Sequence, residues 1–83
     1  MVKVIVFLNK VVLLSEIQEV PSEIGEPDCK LIKPFQVDPN GMLKNWLSEY
    51  TSQSEFMIHS DKILTITDPT ELLVKKYEEV AKK

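Results

Sequence analysis

Two side chains stand out as candidates for nucleophilic or acid–base chemistry: Cys29 and His59, the single cysteine and the single histidine of the chain. A nucleophile needs a base within hydrogen-bond reach and usually a third group that orients this base. Cys29 and His59 fall in separate strand-like segments, and no supporting motif accompanies either residue. A lone cysteine between strand-forming residues is most often a small apolar packing residue. We therefore expect no catalytic residue and no enzyme activity.

Metal ligands and phosphate-binding loops give no stronger signal. One cysteine and one histidine are too few for a zinc site of ordinary ligand count. The carboxylates that crowd residues 16–28 could form a weak divalent cation site, but a solvated acidic surface is the commoner case. Gly25 and Gly41 are the only glycines, and neither has the spacing of a phosphate-binding loop. The sequence predicts neither a metal nor a cofactor.

Aromatic residues offer a possible binding surface. Trp46 and Tyr50 lie close in sequence to Lys44, Asn45 and Gln53, and a flat ring can stack on a nucleic-acid base. Packing in the core is the commoner role of such residues. Among the aromatic residues, Trp46 and Tyr50 are nevertheless the candidates for contact with nucleic acid.

Composition limits the classes of partner. The 83 residues carry a formal net charge of −3, which argues against a protein that coats duplex DNA through many phosphate contacts. The longest apolar run, residues 4–8, is too short to cross a bilayer, so we expect a cytoplasmic protein. A chain of this length buries only about 60 to 65% of its unfolded surface, which makes support by self-association plausible.

Alternating and β-branched residues predict five strands, over residues 2–8, 11–20, 29–37, 55–60 and 63–67. Asn9-Lys10 predicts a tight turn between the first two strands. Pro34 cannot donate to a sheet ladder, so the third strand should lie at an edge or bend at a bulge near this residue.

Two helical segments are predicted. In the insert at residues 38–54, a turn at Asp38-Pro39-Asn40-Gly41 precedes apolar residues at helical spacing, which favours a short helix or a helical loop. In the C-terminal segment, residues 69–82, Asp68 could cap a helix and Glu71 could complete a capping box. Its apolar stripe is formed by Leu73, Tyr77 and Val80.

These elements predict one mostly β domain over residues 1–83. Five short strands with a proline-marked bend suit a small, strongly bent and partly open barrel, with the insert and a C-terminal helix attached. Several strands are apolar on both faces, which implies a second covering layer. The C-terminal helix can cover one patch only, and neighbouring subunits that pair through open edge strands are the simplest cover for the rest.

Residues 58–66 read Ile-His-Ser-Asp-Lys-Ile-Leu-Thr-Ile and lie between the predicted fourth and fifth strands. This stretch resembles the second signature of Sm-like proteins, in which an apolar residue precedes Arg, Gly, Asp or Asn, any residue, and then Ile with apolar alternation. Glu26, Cys29 and Lys30 fall where the first signature of the family has Asp, an apolar residue and Asn. The similarity spans most of residues 2–67. Because His59 and Ser60 replace the usual Arg and Gly, the chain looks like a divergent member, of the type that phages encode.

The resemblance implies a homo-oligomeric ring, in which the predicted fourth strand of one subunit pairs with the fifth strand of the next. The implied oligomer interface consists of Phe56, Met57, Ile58, Ile63, Leu64 and Ile66. The implied central opening would bind single-stranded RNA through Lys30, His59, Ser60, Asp61 and Lys62, since assembly multiplies each cation by the number of subunits. The alternative hypothesis is a ring or barrel that binds a protein instead of nucleic acid, through Trp46, Tyr50 or the C-terminal helix.

Overall fold

Six strands and one α-helix make up the fold, and the computed structural model describes residues 1–81. The strands are β1 (Val2–Phe7), β2 (Val12–Glu19), β3 (Cys29–Val37), β4 (Leu43–Asn45), β5 (Glu55–Ile58) and β6 (Ile63–Thr67). A 3-10 turn at Ser60–Lys62 joins β5 to β6, and helix α1 (Glu71–Ala81) follows. The prediction of a mostly β fold with a C-terminal helix is confirmed.

All strand pairs are antiparallel and belong to one sheet. The strand order is β4-β3-β2-β1-β6, and β5 also pairs with β3. Strand β3 therefore has β2 along one side, while β4 and β5 share its other side. As a result, β5 and β6 lie at opposite margins of an open sheet.

The β1–β2 hairpin has a longer loop than the sequence indicates. Strand β1 ends at Phe7, whose backbone N donates to the Val11 carbonyl at 2.9 Å, while the Lys10 N donates to the Phe7 carbonyl at 2.8 Å. Lys10 adopts a left-handed conformation with φ of 69°. These features correspond to a three-residue loop closed by a bulge, in which the left-handed residue is usually glycine.

Strand β3 bends at a bulge, as Pro34 predicts. Leu14 pairs with Phe35 and Glu16 pairs with Ile32, so Ser15 alone lies opposite two residues, Lys33 and Pro34. Lys33 has φ of 52°. The buried Ser15 hydroxyl donates to the carbonyls of Glu16 and Ile32 at 2.8 and 3.1 Å, which satisfies polar groups that the ladder leaves free.

The short helix predicted for the insert is absent from the described residues, although a single turn is present, in which the N atoms of Tyr50 and Thr51 donate to the Leu47 carbonyl at 3.0 and 3.1 Å. Instead, β4 pairs with β3, and Leu47 has φ of 61°, which interrupts any helical run. The apolar spacing misleads because its residues serve opposite faces of the sheet: Leu43 packs against the cluster that contains Phe35, whereas Trp46 packs against Phe7 in the other cluster. The predicted turn is present, since the Asp38 Oδ1 accepts hydrogen bonds from the N atoms of Asn40 and Met42, each at 2.9 Å.

The sheet carries one apolar cluster on each face. The first cluster is built on the buried residues Ile5, Phe7, Leu13 and Leu31. The second cluster is built on Leu14, Phe35 and Tyr77 and is covered by α1, whose predicted stripe of Leu73, Tyr77 and Val80 packs there. The strands are therefore apolar on both faces because each face of the sheet packs into its own cluster.

Helix α1 begins two residues later than predicted, and its cap is a different residue. The Thr70 Oγ1 accepts a hydrogen bond from the Leu73 N at 3.3 Å, and the Thr70 carbonyl accepts from the Val74 N at 3.0 Å. Asp68 instead forms an ion pair with Lys3 of β1. This ion pair draws the Asp68 carboxylate away from the helix end, so Thr70 takes the capping role. The predicted end at residue 82 lies outside the described residues.

Candidate functional site

The two margins of the sheet expose apolar side chains. On β5, Met57 is 50% exposed, and on β6, Leu64 and Ile66 are 61% and 45% exposed. Strand β5 pairs only on its β3 side and β6 only on its β1 side among residues 1–81. Both margins therefore present backbone donors and acceptors next to apolar surface, a combination that promotes strand pairing with another chain.

The first cluster continues out to both margins. Ile66 pairs with the buried Ile5, and Phe56 pairs with the buried Leu31, so each edge residue shares the sheet face of its partner. The six residues predicted to form the oligomer interface all lie on β5 and β6. Three of them are half-buried (Phe56, Ile58 and Ile63), and three are exposed (Met57, Leu64 and Ile66).

The predicted RNA-binding residues do not form one basic surface. Ser60 is held by Asp28: its backbone N donates to the Asp28 Oδ1 at 2.7 Å, and its hydroxyl donates to Oδ2 at 2.6 Å. The Asp28 N donates to the Ile58 carbonyl at 3.2 Å, which ties the same two segments together. The hydrogen bonds from Ser60 lower the pKa of Asp28 below its ordinary value, because they stabilise the carboxylate.

His59 and Asp61 belong to an acidic groove. The His59 Nε2 lies 3.2 Å from the Gly25 carbonyl, which places the ring against the β2–β3 loop. The groove has a volume of about 350 Å³ and contains the carboxylates of Glu23, Glu26, Asp28 and Asp61. Negative charge of this density repels phosphate. Within residues 1–81 these carboxylates do not come together as a group that could hold a metal ion.

The two predicted cations differ in availability. The Lys30 Nζ lies 2.9 Å from the Glu55 Oε1, so its charge is paired across β3 and β5. The exposed Lys62 forms no ion pair with any described residue. Its backbone is fixed, since its carbonyl accepts from the Leu8 N at 2.9 Å. Lys62 is thus the predicted residue best placed to meet an anion.

Cys29 lacks the surroundings of a nucleophile. It is buried in β3, where it pairs with Ile58. Burial raises the pKa of the Cys29 thiol, and the nearby carboxylates of Asp28 and Glu19 raise it further. A reactive cysteine needs the opposite environment, which stabilises the thiolate. Cys29 therefore acts as a packing residue at this position.

The insert forms a second groove, which has a volume of about 620 Å³. Trp46 lines this groove and packs between Phe7 and Phe56, with ring centroids 5.9 and 5.4 Å apart. Tyr50 is 82% exposed, so it is the insert aromatic that remains free to contact a partner. Lys33 also lines the groove, and sequence reasoning missed it because its position depends on the bulge in β3.

One sequence comparison assigns a family. The profile of a family of unknown function, DUF6561, matches residues 1–82. No curated protein shows significant similarity to the chain. Within the described residues, no helix has the length and apolar character needed to cross a bilayer.

Proposed function

This chain belongs to the DUF6561 family, and we propose that its copies assemble into a closed, Sm-like ring through the margins β5 and β6. The observation that carries this proposal is the pair of unpaired sheet margins, each with exposed apolar side chains: Met57 on β5, and Leu64 and Ile66 on β6. They lie beside half-buried residues of the first cluster, Ile58 on β5 and Ile63 on β6. These are also the strands to which the Sm-like resemblance assigns subunit pairing. Pairing would bury this apolar surface and satisfy the edge backbone at the same time.

The two margins differ in sequence, which favours a ring over a simple dimer. When β5 of one subunit pairs with β6 of the next, each subunit keeps one free margin of each kind. Such head-to-tail contacts continue until the rotation between subunits closes the circle. Pairing of β5 with β5, or of β6 with β6, would instead stop at two subunits.

The solution mass tests the proposal directly. We expect light scattering and native mass spectrometry of the wild-type protein to show one closed assembly of more than two subunits. Leu64→Lys should shift the protein to monomers, because a charge would be buried in the pairing surface. A matched control is Leu72→Lys, since Leu72 is 64% exposed and lies on α1 and not on β5 or β6. A monomeric wild-type protein at all concentrations would refute the ring, and a dimer would indicate like-with-like pairing.

Single-stranded RNA at the central opening is a second candidate function, and the exposed cation of Lys62 favours it. The carboxylates of the neighbouring groove oppose it. Fluorescence anisotropy with A-rich and U-rich oligonucleotides at low salt tests this function. RNA binding at the opening predicts a saturable signal that weakens in Lys62→Ala, and a flat titration would exclude it.

Binding of a protein partner, in place of RNA, is the alternative function of the same assembly. The acidic groove and the exposed ring of Tyr50 favour this alternative. A partner that survives nuclease treatment and is lost in Tyr50→Ala would support it. Loss of the partner on nuclease treatment would instead support the RNA-binding function.

A further inference from the structure

The groove at the insert has the size and lining of a small-molecule site. It lies between the insert, the bulge of β3 and the C-terminal end of α1, and its volume is about 620 Å³. Ligand pockets commonly measure about 300 to 1,000 Å³ and combine apolar walls with a few polar groups. The groove therefore falls within the range expected for an organic ligand.

Its lining combines three kinds of group. Half-buried aromatic rings come from Trp46 and Phe56, whereas Phe35 is buried, and hydroxyls come from the segment at residues 48–54. Lys33 alone is charged among the described lining residues. A flat ring can pack on the aromatic part, while the hydroxyls and the ammonium group can bind polar oxygens. This combination fits a ligand that has a ring at one end and an anionic group at the other.

The backbone that carries Lys33 is held on both sides. Its N donates to the Ser54 carbonyl at 2.7 Å, and its carbonyl accepts from the Tyr77 hydroxyl at 3.0 Å. Lys33 makes no ion pair with residues 1–81, in contrast to Lys30, which Glu55 neutralises. The cation of the groove is thus free to bind an external anion.

Charge also separates this groove from the acidic groove beside His59. The acidic groove contains four carboxylates, whereas the insert groove contains none among its described lining residues. An anionic ligand would be repelled from the first and attracted to the second. We propose that the insert groove binds a small organic anion with a flat ring, of the class of a nucleoside monophosphate, with the anionic group at Lys33.

Trp46 supplies a direct readout, since it is the single tryptophan of the chain and it lines the groove. The probes are adenosine monophosphate and phenyl phosphate, with adenosine and inorganic phosphate as controls that carry only the ring or only the charge. We expect both probes to change the Trp46 fluorescence saturably, and each control to bind at least about tenfold more weakly. A linear response to both probes up to their solubility would overturn the proposal.

Two lysine variants test the role of the cation. Lys33→Gln should weaken binding of adenosine monophosphate by about tenfold, since a charge-assisted hydrogen bond is lost. Lys10→Gln is the matched control, because Lys10 is also an exposed lysine with a positive φ but does not line the groove. Unchanged affinity in Lys33→Gln would overturn the proposal. If this variant does not fold, equal affinities of the wild-type protein for adenosine monophosphate and adenosine would overturn it instead.

Two further experiments identify the source of the ligand and test whether ligand binding depends on assembly. Displacement of adenosine monophosphate by a single-stranded oligonucleotide would identify a nucleotide within a chain as the ligand, and no displacement would identify a free small anion. Leu64 lies on β6 and does not line the groove, so Leu64→Lys should keep binding even when it breaks the ring. Binding lost together with assembly would overturn the inference that one subunit suffices.

Discussion

At the scale of single residues, Asp28 holds the loop between β5 and β6 in place. Its carboxylate accepts two hydrogen bonds from Ser60, and its backbone N donates to the Ile58 carbonyl. These contacts join the β2–β3 loop to the 3-10 turn that leads into β6. Asp28 therefore positions one of the two proposed assembly margins, although it lies on neither of them.

The lowered pKa of Asp28 predicts a dependence of stability on pH. Because the pKa is lower in the folded than in the unfolded chain, this contribution is fully present above the unfolded value, about 3.9, and is lost as the pH falls through the folded value. Asp28→Asn should be less stable than the wild-type protein at neutral pH, and the difference should shrink in acid. Urea unfolding of both proteins across this pH range measures it, and a constant difference would contradict the prediction.

At the scale of elements, two connections depend on residues that are unusual for their positions. Lys10 occupies the left-handed position of the first hairpin, where glycine is usual. Thr70 caps α1 although Asp68 and Glu71 form the more familiar capping pattern. Substitutions at Lys10 and Thr70 can test how much each residue contributes to the stability of its connection.

Lys10→Gly should stabilise the protein by about 0.5 to 1 kcal/mol. The left-handed conformation costs a non-glycine residue roughly 1 to 2 kcal/mol, and the greater flexibility of unfolded glycine offsets roughly 0.5 to 1 kcal/mol of the gain. Thermal or urea unfolding measures the change. Lys10→Ala keeps the strain and serves as the control, so an equal gain with alanine would show that the strain is not the cause.

Thr70→Ala should destabilise the protein by about 1 kcal/mol, because α1 loses the side chain that accepts from the Leu73 N. Asp68→Ala should cost less, since it removes only an exposed ion pair with Lys3. Thr70→Ser, which keeps the hydroxyl, should stay close to the wild-type protein. Urea unfolding of the three variants tests this order, and a larger loss in Asp68→Ala would restore Asp68 as the cap.

At the scale of the whole molecule, the two faces of the sheet are covered unequally. Helix α1 covers the second cluster, built on Leu14, Phe35 and Tyr77. The first cluster is buried at its centre and ends at the margins in the half-buried Ile58 and Ile63, next to the exposed Met57 and Leu64. A chain of this size has a small core of its own, so burial of these margins between subunits would add substantially to its stability.

Assembly of this kind links thermal stability to protein concentration. If folded subunits associate and unfolded chains do not, the Tm should rise as the concentration of the wild-type protein is raised. Leu64→Lys should lower the Tm and remove its dependence on concentration, whereas Leu72→Lys should keep that dependence. Circular dichroism melts over a wide concentration range measure the effect. A concentration-independent Tm in the wild-type protein would contradict assembly.

The sequence by itself determined the elements whose signals are local. Strands β3 and β6 have the predicted bounds, and the apolar stripe of α1 packs as its spacing indicates. The bulge at Pro34 was also predictable, since proline lacks the N–H that a ladder requires. These features depend on the geometry of a few consecutive residues, so periodicity and residue type are sufficient to predict them.

Only the tertiary structure decided the features that join distant parts of the chain. Residues 43–45 form strand β4 because they pair with the edge of β3. This pairing outweighs the helical spacing of the apolar residues in the insert. Asp28 met Ser60, Lys30 met Glu55, and Lys33 came to line the insert groove. The Asp28–Ser60 and Lys30–Glu55 contacts join residues 32 and 25 positions apart (60 − 28 and 55 − 30), so their energy depends on how the sheet brings the segments together. This is why Lys30 could be found in the sequence as a cation of the predicted RNA site, while its neutralising partner Glu55 could not.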